Sequence, residues 1–279
     1  MIYFIGAGPG DPDLITVRGK RCLETADIII YAGSLVNRAI LKFAKPQCEI
    51  YNSAGMTREE VLEVMIKGEA AGQTIARVHT GDPSIFGALR EQLDELDRRK
   101  ITYRIIPGVS SFLAAAAALK KEYTLPGVTQ TVILTRMEGR TGVPAMETIE
   151  ALAEHRATMV VFLSGGMIDE LVVKLKSGYP ENTPVAIVYK ASWPEQQILL
   201  GTLQDIAAKV KEAGIRKTAL LAVGGFLGDE YELSRLYDRT FTHEFREAPK
   251  GDLGRGAGFS ETEPKKRAFS QVSRLERSV

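Results

Sequence analysis

The chain has 279 residues, 44% hydrophobic and 25% charged, enough apolar material for one large globular domain or two smaller ones, and two are expected. Lys+Arg 36 against Asp+Glu 35 leave a formal net charge of +1, so no whole-molecule field points to nucleic acid or an anionic membrane as a partner. Cys22 and Cys48, like His79, His155 and His243, are scattered without metal-ligand or disulfide spacing, and no apolar run approaches the ~20 residues that span a bilayer; a soluble cytoplasmic protein without a bound metal is expected.

The chain opens on an apolar strand, Ile2 to Ile5, that runs into Gly6-Ala7-Gly8-Pro9-Gly10-Asp11. Glycines at a strand end let bare backbone approach a ligand, and the N–H groups of this turn are expected to face one. The plain alternative is a turn that only lets the strand meet the next helix. A dinucleotide fingerprint is not matched: Asp11 stands where the third glycine belongs, and the next strand, Ile28 to Tyr31, ends in Ala32-Gly33-Ser34 with no carboxylate for a ribose. Between them Thr16 is expected to cap a helix to about Ala26. A helix near Asn37 to Phe43, a strand Glu49 to Tyr51, and a helix to Lys67 follow, the last with capping-box spacing at Thr57 and Glu60.

Strand Thr74 to Val78 leads into His79-Thr80-Gly81-Asp82-Pro83, where Gly81 suits a tight turn and Asp82 offers a carboxylate. The plain alternative is that Asp82 caps a helix beginning at Ser84, whose apolar stripe is Phe86, Leu89, Leu93 and Leu96. Strand Tyr103 to Ile106 enters Pro107 to Ser111, placing Ser110 and Ser111 at the N-terminus of an alanine-rich helix, where they favour a carboxylate or simply cap.

Pro126-Gly127 interrupts the pattern, so the expected division is an N-terminal α/β domain over 1–119, a linker over 120–129 and a second α/β domain over 130–246. In the second half, strands are expected at Thr131 to Leu134, Thr158 to Leu163, Val185 to Tyr189, Ile198 to Leu200 and Ala219 to Val223, with helices near Glu147 to Ala153, Ile168 to Lys176 and Leu203 to Ala213. Arg136 and Arg140 after the first of these strands could clamp carboxylates or face solvent; Tyr189, Lys190 and Trp193 end another, as a flat pocket or as a turn covering the core. From about Glu247 to Val279 the composition is that of a disordered tail, with no role assigned.

Together the segments FIGAGPGDPDLIT, HTGDPSIFG, PGVSS, TQTVILTR, VYKASWP and RLYDRTFTHEFR resemble the tetrapyrrole (precorrin) methylase superfamily over about Met1 to Arg246. The last three, with Glu138 to Thr141, are similar to its precorrin-4 C11-methyltransferase branch. The resemblance implies two α/β domains with S-adenosylmethionine in a trough between them, a homodimer, and methylation of C11 of precorrin-4 or cobalt-precorrin-4 in cobalamin biosynthesis. Carried over by position, it implies a cofactor site of Pro9, Thr80, Gly81, Asp82, Ile85, Ser110, Ser111, Ser164, Lys190, Ala191 and Leu220. Serine stands at 110 where the family tends to have threonine, and the hydroxyl is retained.

Methyl transfer to an electron-rich carbon needs positioning more than acid–base work, and positioning alone can supply about 7–11 kcal/mol. A substrate bearing many carboxylates needs cations, for which Arg90, Arg136, Arg140, Lys190, His243 and Arg246 are candidates. His79 is a candidate proton acceptor, although a structural hydrogen-bonder is the preferred reading at a strand end. Other readings stay open at this point: another precorrin or uroporphyrinogen methyltransferase, a nicotinamide oxidoreductase, an RNA-directed relative, and a pigment carrier without turnover.

Overall fold

The computed structural model describes residues 1–139, 141–163, 166–234, 236 and 238–248. Arg140, Ser164 and the expected tail, apart from its first two residues, lie outside them. The chain divides into two compact units, the first made of Met1–Lys120 with Val188–Ile198 and Arg216–Leu220, the second of the remainder. The α/β alternation read from the sequence is the observed architecture, with one five-stranded sheet built from the first half of the chain and another from the second.

In the first unit β1 (Ile2–Gly6) leads to α1 (Val17–Thr25), where Thr16 Oγ1 accepts the Gly19 N–H at 3.1 Å. After β2 (Ile28–Tyr31), Arg38–Phe43 forms a 3-10 turn in place of the expected helix, because Pro46 disfavours helical backbone at Lys45. β3 (Glu49–Asn52) precedes α2 (Arg58–Ala70), which carries the full capping box of Thr57 and Glu60. β4 (Ile75–His79), α3 (Arg90–Arg98), β5 (Tyr103–Ile106) and α4 (Ser111–Leu119) complete this half, and Lys120 ends α4 in the left-handed region at φ 53°.

The start of α3 corrects the reading of a helix from Ser84. Asp82 Oδ1 accepts both the Ser84 N–H and its hydroxyl, and Gly87 packs so closely on Pro83 that a Cβ would fall 2.2 Å from the Pro83 carbonyl oxygen. Phe86 and Ala88 consequently take φ of 51° and 46°, which no right-handed helix tolerates, and Phe86 is 55% exposed rather than part of a core stripe. Leu89, Leu93 and Leu96 do pack on the core.

The first sheet has the order β3-β2-β4-β1-β5, and each neighbouring pair of strands runs parallel. Both faces are covered, as parallel sheets require. Ile2, Phe4, Ile28, Ile30 and Ile75 bury one face against Val61, Leu62 and Met65 of α2 and Leu96 of α3. Ile5, Ile29, Tyr31, Val78 and Ile106 bury the other against Leu23 of α1 and Ile40.

The second sheet comprises β6 (Val132–Arg136), β7 (Thr158–Leu163), β8 (Pro184–Tyr189), β9 (Gln197–Thr202) and β10 (Ala219–Val223) in the order β6-β7-β10-β8-β9. Its helices are α5 (Ile149–Ala153), α6 (Ile168–Leu175) and α7 (Ile206–Glu212). α5 starts two residues later than expected because Thr148 is the cap, its Oγ1 accepting the Ala151 N–H at 3.3 Å.

Candidate functional site

Three adjacent strands, β4, β1 and β5, end at one level: Gly6 pairs with His79 and Ile5 with Ile106. The chain leaves β1 toward β2 on one side and leaves β4 toward β5 on the other. Each connection thus passes over the other's strand, and the three loops gather outside the carboxyl ends of the strands, where open α/β sheets receive ligands.

The loops leaving these strands are joined through glycine. A Cβ on Gly6 would lie 2.5 Å from the Gly81 carbonyl oxygen and 2.6 Å from Gly108 Cα, and one on Gly108 would lie 2.2 Å from that same oxygen. Gly8 and Gly81 exchange backbone hydrogen bonds, 3.3 Å from the Gly8 N–H and 2.8 Å from the Gly81 N–H, and the Ala7 N–H donates to the His79 carbonyl at 2.8 Å. The expectation that the first loop presents its N–H groups to a ligand is therefore corrected. Those of Ala7, Gly8 and Asp11 are bound within the protein, and the glycines are needed because three backbones touch.

Asp82 is likewise engaged internally. Its Oδ2 accepts the Gly108 N–H at 2.8 Å while Oδ1 holds Ser84, so the carboxylate ties the second loop to the third. Burial alone would push this carboxyl up, but the hydrogen bonds from Ser84 and Gly108 outweigh it and hold the group below its ordinary value. Gly81, at φ 58°, faces Ser110 and the Ser111 N–H. Ser110 is 5% exposed and stands at the N-cap of α4 with no side-chain capping hydrogen bond, so capping is not what its hydroxyl does. Thr80 Oγ1 lies 3.5 Å from the Leu35 carbonyl, and half-buried Ile85 donates its N–H to the Asp82 carbonyl at 3.2 Å.

The segment after β8 belongs to the same unit. Lys190, at φ 46°, donates its N–H to the Thr218 carbonyl at 2.9 Å; its Nζ is 3.5 Å from Glu195 and 5.0 Å above the Trp193 ring. Ala191 and Leu220 are buried. Pro9 is buried too, and its carbonyl accepts from Trp193 Nε1 at 3.0 Å. The structure thus brings Pro9, Thr80, Gly81, Asp82, Ile85, Ser110 and Ser111 together at one sheet edge, with the Lys190 segment against the first loop. Gly108, Asn37 and Ser192, which hold these loops, went unrecognised. For Gly108 the signal was present, a glycine following Pro107 at a strand end.

His79 is 4% exposed and its Nε2 has no partner. Burial, then the nearby Arg77 guanidinium, pushes its pKa down to about 3. The ring sits 6.0 Å from that of Phe4, and its polar contact is with the Gly87 backbone. A sealed, neutral imidazole holds structure and is poorly placed to take a proton from a substrate.

The cation candidates do not form a cluster of available charges. Arg90 opens α3 and pairs with Asp94 at 2.6 Å. Arg136 spends its guanidinium on the carbonyls of Met137, Thr141 and Gly142 at 3.1–3.2 Å, which corrects its reading as a carboxylate clamp. Arg246 donates to the carbonyls of Leu236, Asp238 and Phe241, and His243 Nδ1 accepts the Phe245 N–H at 3.2 Å; both secure their own turn. A hollow of about 540 Å³ between α2 and α3, lined by Arg58, Glu59, Glu91 and Arg98 among others, contains none of the loop residues. Among the described residues no group of three or more His, Cys, Asp or Glu side chains could hold a metal ion, and no helix is long and apolar enough to cross a membrane.

Residues 1–207 match the model of the Tetrapyrrole (Corrin/Porphyrin) Methylases. The chain is 55% identical over 251 residues to a cobalt-precorrin-4 C(11)-methyltransferase of Methanocaldococcus jannaschii, spanning 89% of this chain and 97% of that one. Among solved structures it is similar to a cobalamin biosynthetic enzyme, cobalt precorrin-4 methyltransferase, with TM-score 0.79 and 45% identity over 81% of this chain and 95% of the other. It is also similar to a uroporphyrin-III C-methyltransferase from Thermus thermophilus complexed with S-adenosyl homocysteine, with TM-score 0.69 and 26% identity over 81% and 98%.

Proposed function

We propose that this chain, which belongs to the tetrapyrrole (corrin/porphyrin) methylase family, is an S-adenosylmethionine-dependent methyltransferase acting at C11 of cobalt-precorrin-4 in cobalamin biosynthesis. The observation that carries the donor assignment is the glycine junction of Gly6, Gly81 and Gly108 at the carboxyl ends of β1, β4 and β5. The substrate assignment leans on the 55% identity to the Methanocaldococcus enzyme.

The residues present fit a nucleoside that carries an amino acid. Such a ligand needs short polar side chains held close together, and the packed glycine junction brings the hydroxyls of Thr80, Ser110 and Ser111 to the same strand ends. When bound, S-adenosylmethionine supplies a methyl group activated by its attachment to a positively charged sulfur. In this reading Pro9, Thr80, Gly81, Ile85, Ser110, Ser111, Lys190, Ala191 and Leu220 line its site, with Asp82 fixing the loops and Ser164 outside the described residues. What the chain contributes is placement: reacting atoms held about 3–3.5 Å apart and in line gain most of the acceleration without a strong base. That agrees with a His79 too deeply neutral for proton transfer.

The test is anaerobic incubation of the full-length protein with methyl-labelled S-adenosylmethionine and a cobalt-precorrin-4 generating mixture, followed by NMR. Label at C11 is the expected result; label at another ring carbon would transfer the protein to a different methylase branch, and no incorporation would remove the function. A parallel reaction with metal-free precorrin-4 decides whether cobalt is required in the substrate. The reading also carries a homodimer, and light scattering in solution should return about twice the mass of one chain.

A further inference from the structure

The loop Pro9-Gly10-Asp11 is held from outside by a segment more than 180 residues later: Trp193 Nε1 donates to the Pro9 carbonyl at 3.0 Å, and Ser192 Oγ accepts the Asp11 N–H at 3.0 Å. The indole lies so closely over Gly10 that a Cβ there would fall 2.0 Å from Trp193 Cδ1 and 2.2 Å from Nε1. From elsewhere in the unit, Asn37 Nδ2 donates to the Gly10 carbonyl at 2.9 Å. Side chains from other elements therefore hold two carbonyls and one N–H of three consecutive residues, while Gly8 is fixed by its exchange with Gly81.

The segment that does this is itself tense and braced. Lys190 and Ser192 take φ of 46° and 68°, values that side-chain-bearing residues adopt at a cost. The Ser192 N–H donates to Gln196 Oε1 at 2.8 Å, the Trp193 N–H donates to the Lys190 carbonyl at 2.9 Å, and the Lys190 ammonium stands 5.0 Å over the indole. Such backbone persists where the surroundings over-determine it, and it concentrates at ligand clamps.

We infer that Trp193 and Ser192 form a latch that sets the glycine loop in the one shape able to receive the methyl donor. They are positioning residues, acting through Pro9 and Asp11 and not on the reacting atoms. The inference rests on the donor reading above and goes beyond it, since it assigns the order of the donor loop to a distant tryptophan.

The experiment uses the full-length protein, with S-adenosylhomocysteine as the calorimetric probe and steady-state methyl transfer as the second readout. Trp193→Phe keeps the ring and removes the N–H; Ser192→Ala removes one oxygen and covers the case in which ring variants fail to fold. The expected result is about fivefold weaker probe binding for Trp193→Phe and about threefold for Ser192→Ala, the scale of one lost hydrogen bond. KM for the donor should rise in step, with kcat and KM for the tetrapyrrole unchanged. As the chain has one tryptophan, Gly10→Ala gives an optical check: the displaced indole should shift its emission to the red. Wild-type affinity in both Trp193→Phe and Ser192→Ala would overturn the latch and leave the donor reading intact. So would a parallel rise in both KM values with a lowered Tm, which is the mark of a merely structural role. No heat from the wild type would sink the donor reading and the latch with it.

Discussion

His79 shows what one buried side chain does to the behaviour of the protein with pH. Burial favours the neutral ring, and the positive Arg77 on the same strand adds to this, so the folded-state pKa lies near 3 against an ordinary 6.5. The unfolded chain binds a proton at this residue below about pH 6.5 and the folded chain does not, so stability contributed above that pH is lost as the solution is acidified toward 3. Between pH 7.5 and 5 the loss from this group alone is about 2 kcal/mol. Urea unfolding at the two pH values should show that loss in the wild type, and a loss smaller by about that amount in His79→Asn. Equal acid sensitivity in both proteins would mean the ring is not sealed.

At the scale of elements, the strands and well-capped helices were legible because their determinants are local. Thr16 and Thr57 sit where capping requires them, and β5, β7 and β10 occupy the spans that their apolar runs predict. The stretch 84–89 was not legible. Its positive φ values follow from Asp82 folding back on Ser84 and from the contact of Gly87 with the Pro83 carbonyl, neither of which leaves a periodic trace in the sequence. The glycine-rich strand ends were visible as special places, but their physical role was not, since only the strand order puts Gly6, Gly81 and Gly108 against one another. That arrangement makes a prediction. Gly108→Ala forces backbone apart where no flexible side chain can yield, and should lower stability by about 1–3 kcal/mol in urea unfolding and weaken S-adenosylhomocysteine binding in calorimetry. A variant as stable as the wild type would show that the junction has slack.

For the molecule as a whole, charge decides how a polycarboxylate substrate can be met. A net charge of +1 provides no long-range attraction, so capture must depend on local cations. Which cations these are was not legible, because an arginine bound to its own loop's carbonyls, as Arg136 and Arg246 are, reads in sequence like one facing a ligand. If local charge does the work, raising ionic strength from about 50 to 500 mM should increase KM for the tetrapyrrole severalfold while the affinity for S-adenosylhomocysteine stays nearly flat. A flat response of both would move substrate recognition to neutral contacts.

The contact between Trp193 and Pro9 also has a meaning in time. A ribosome delivers the indole that steadies Pro9 184 positions after Pro9 itself, so this turn waits on a distant stretch of chain before it is secured. A fragment cut before position 193 can build β1 yet has no indole to steady Pro9, so it should hold S-adenosylhomocysteine more weakly than the full chain in calorimetry.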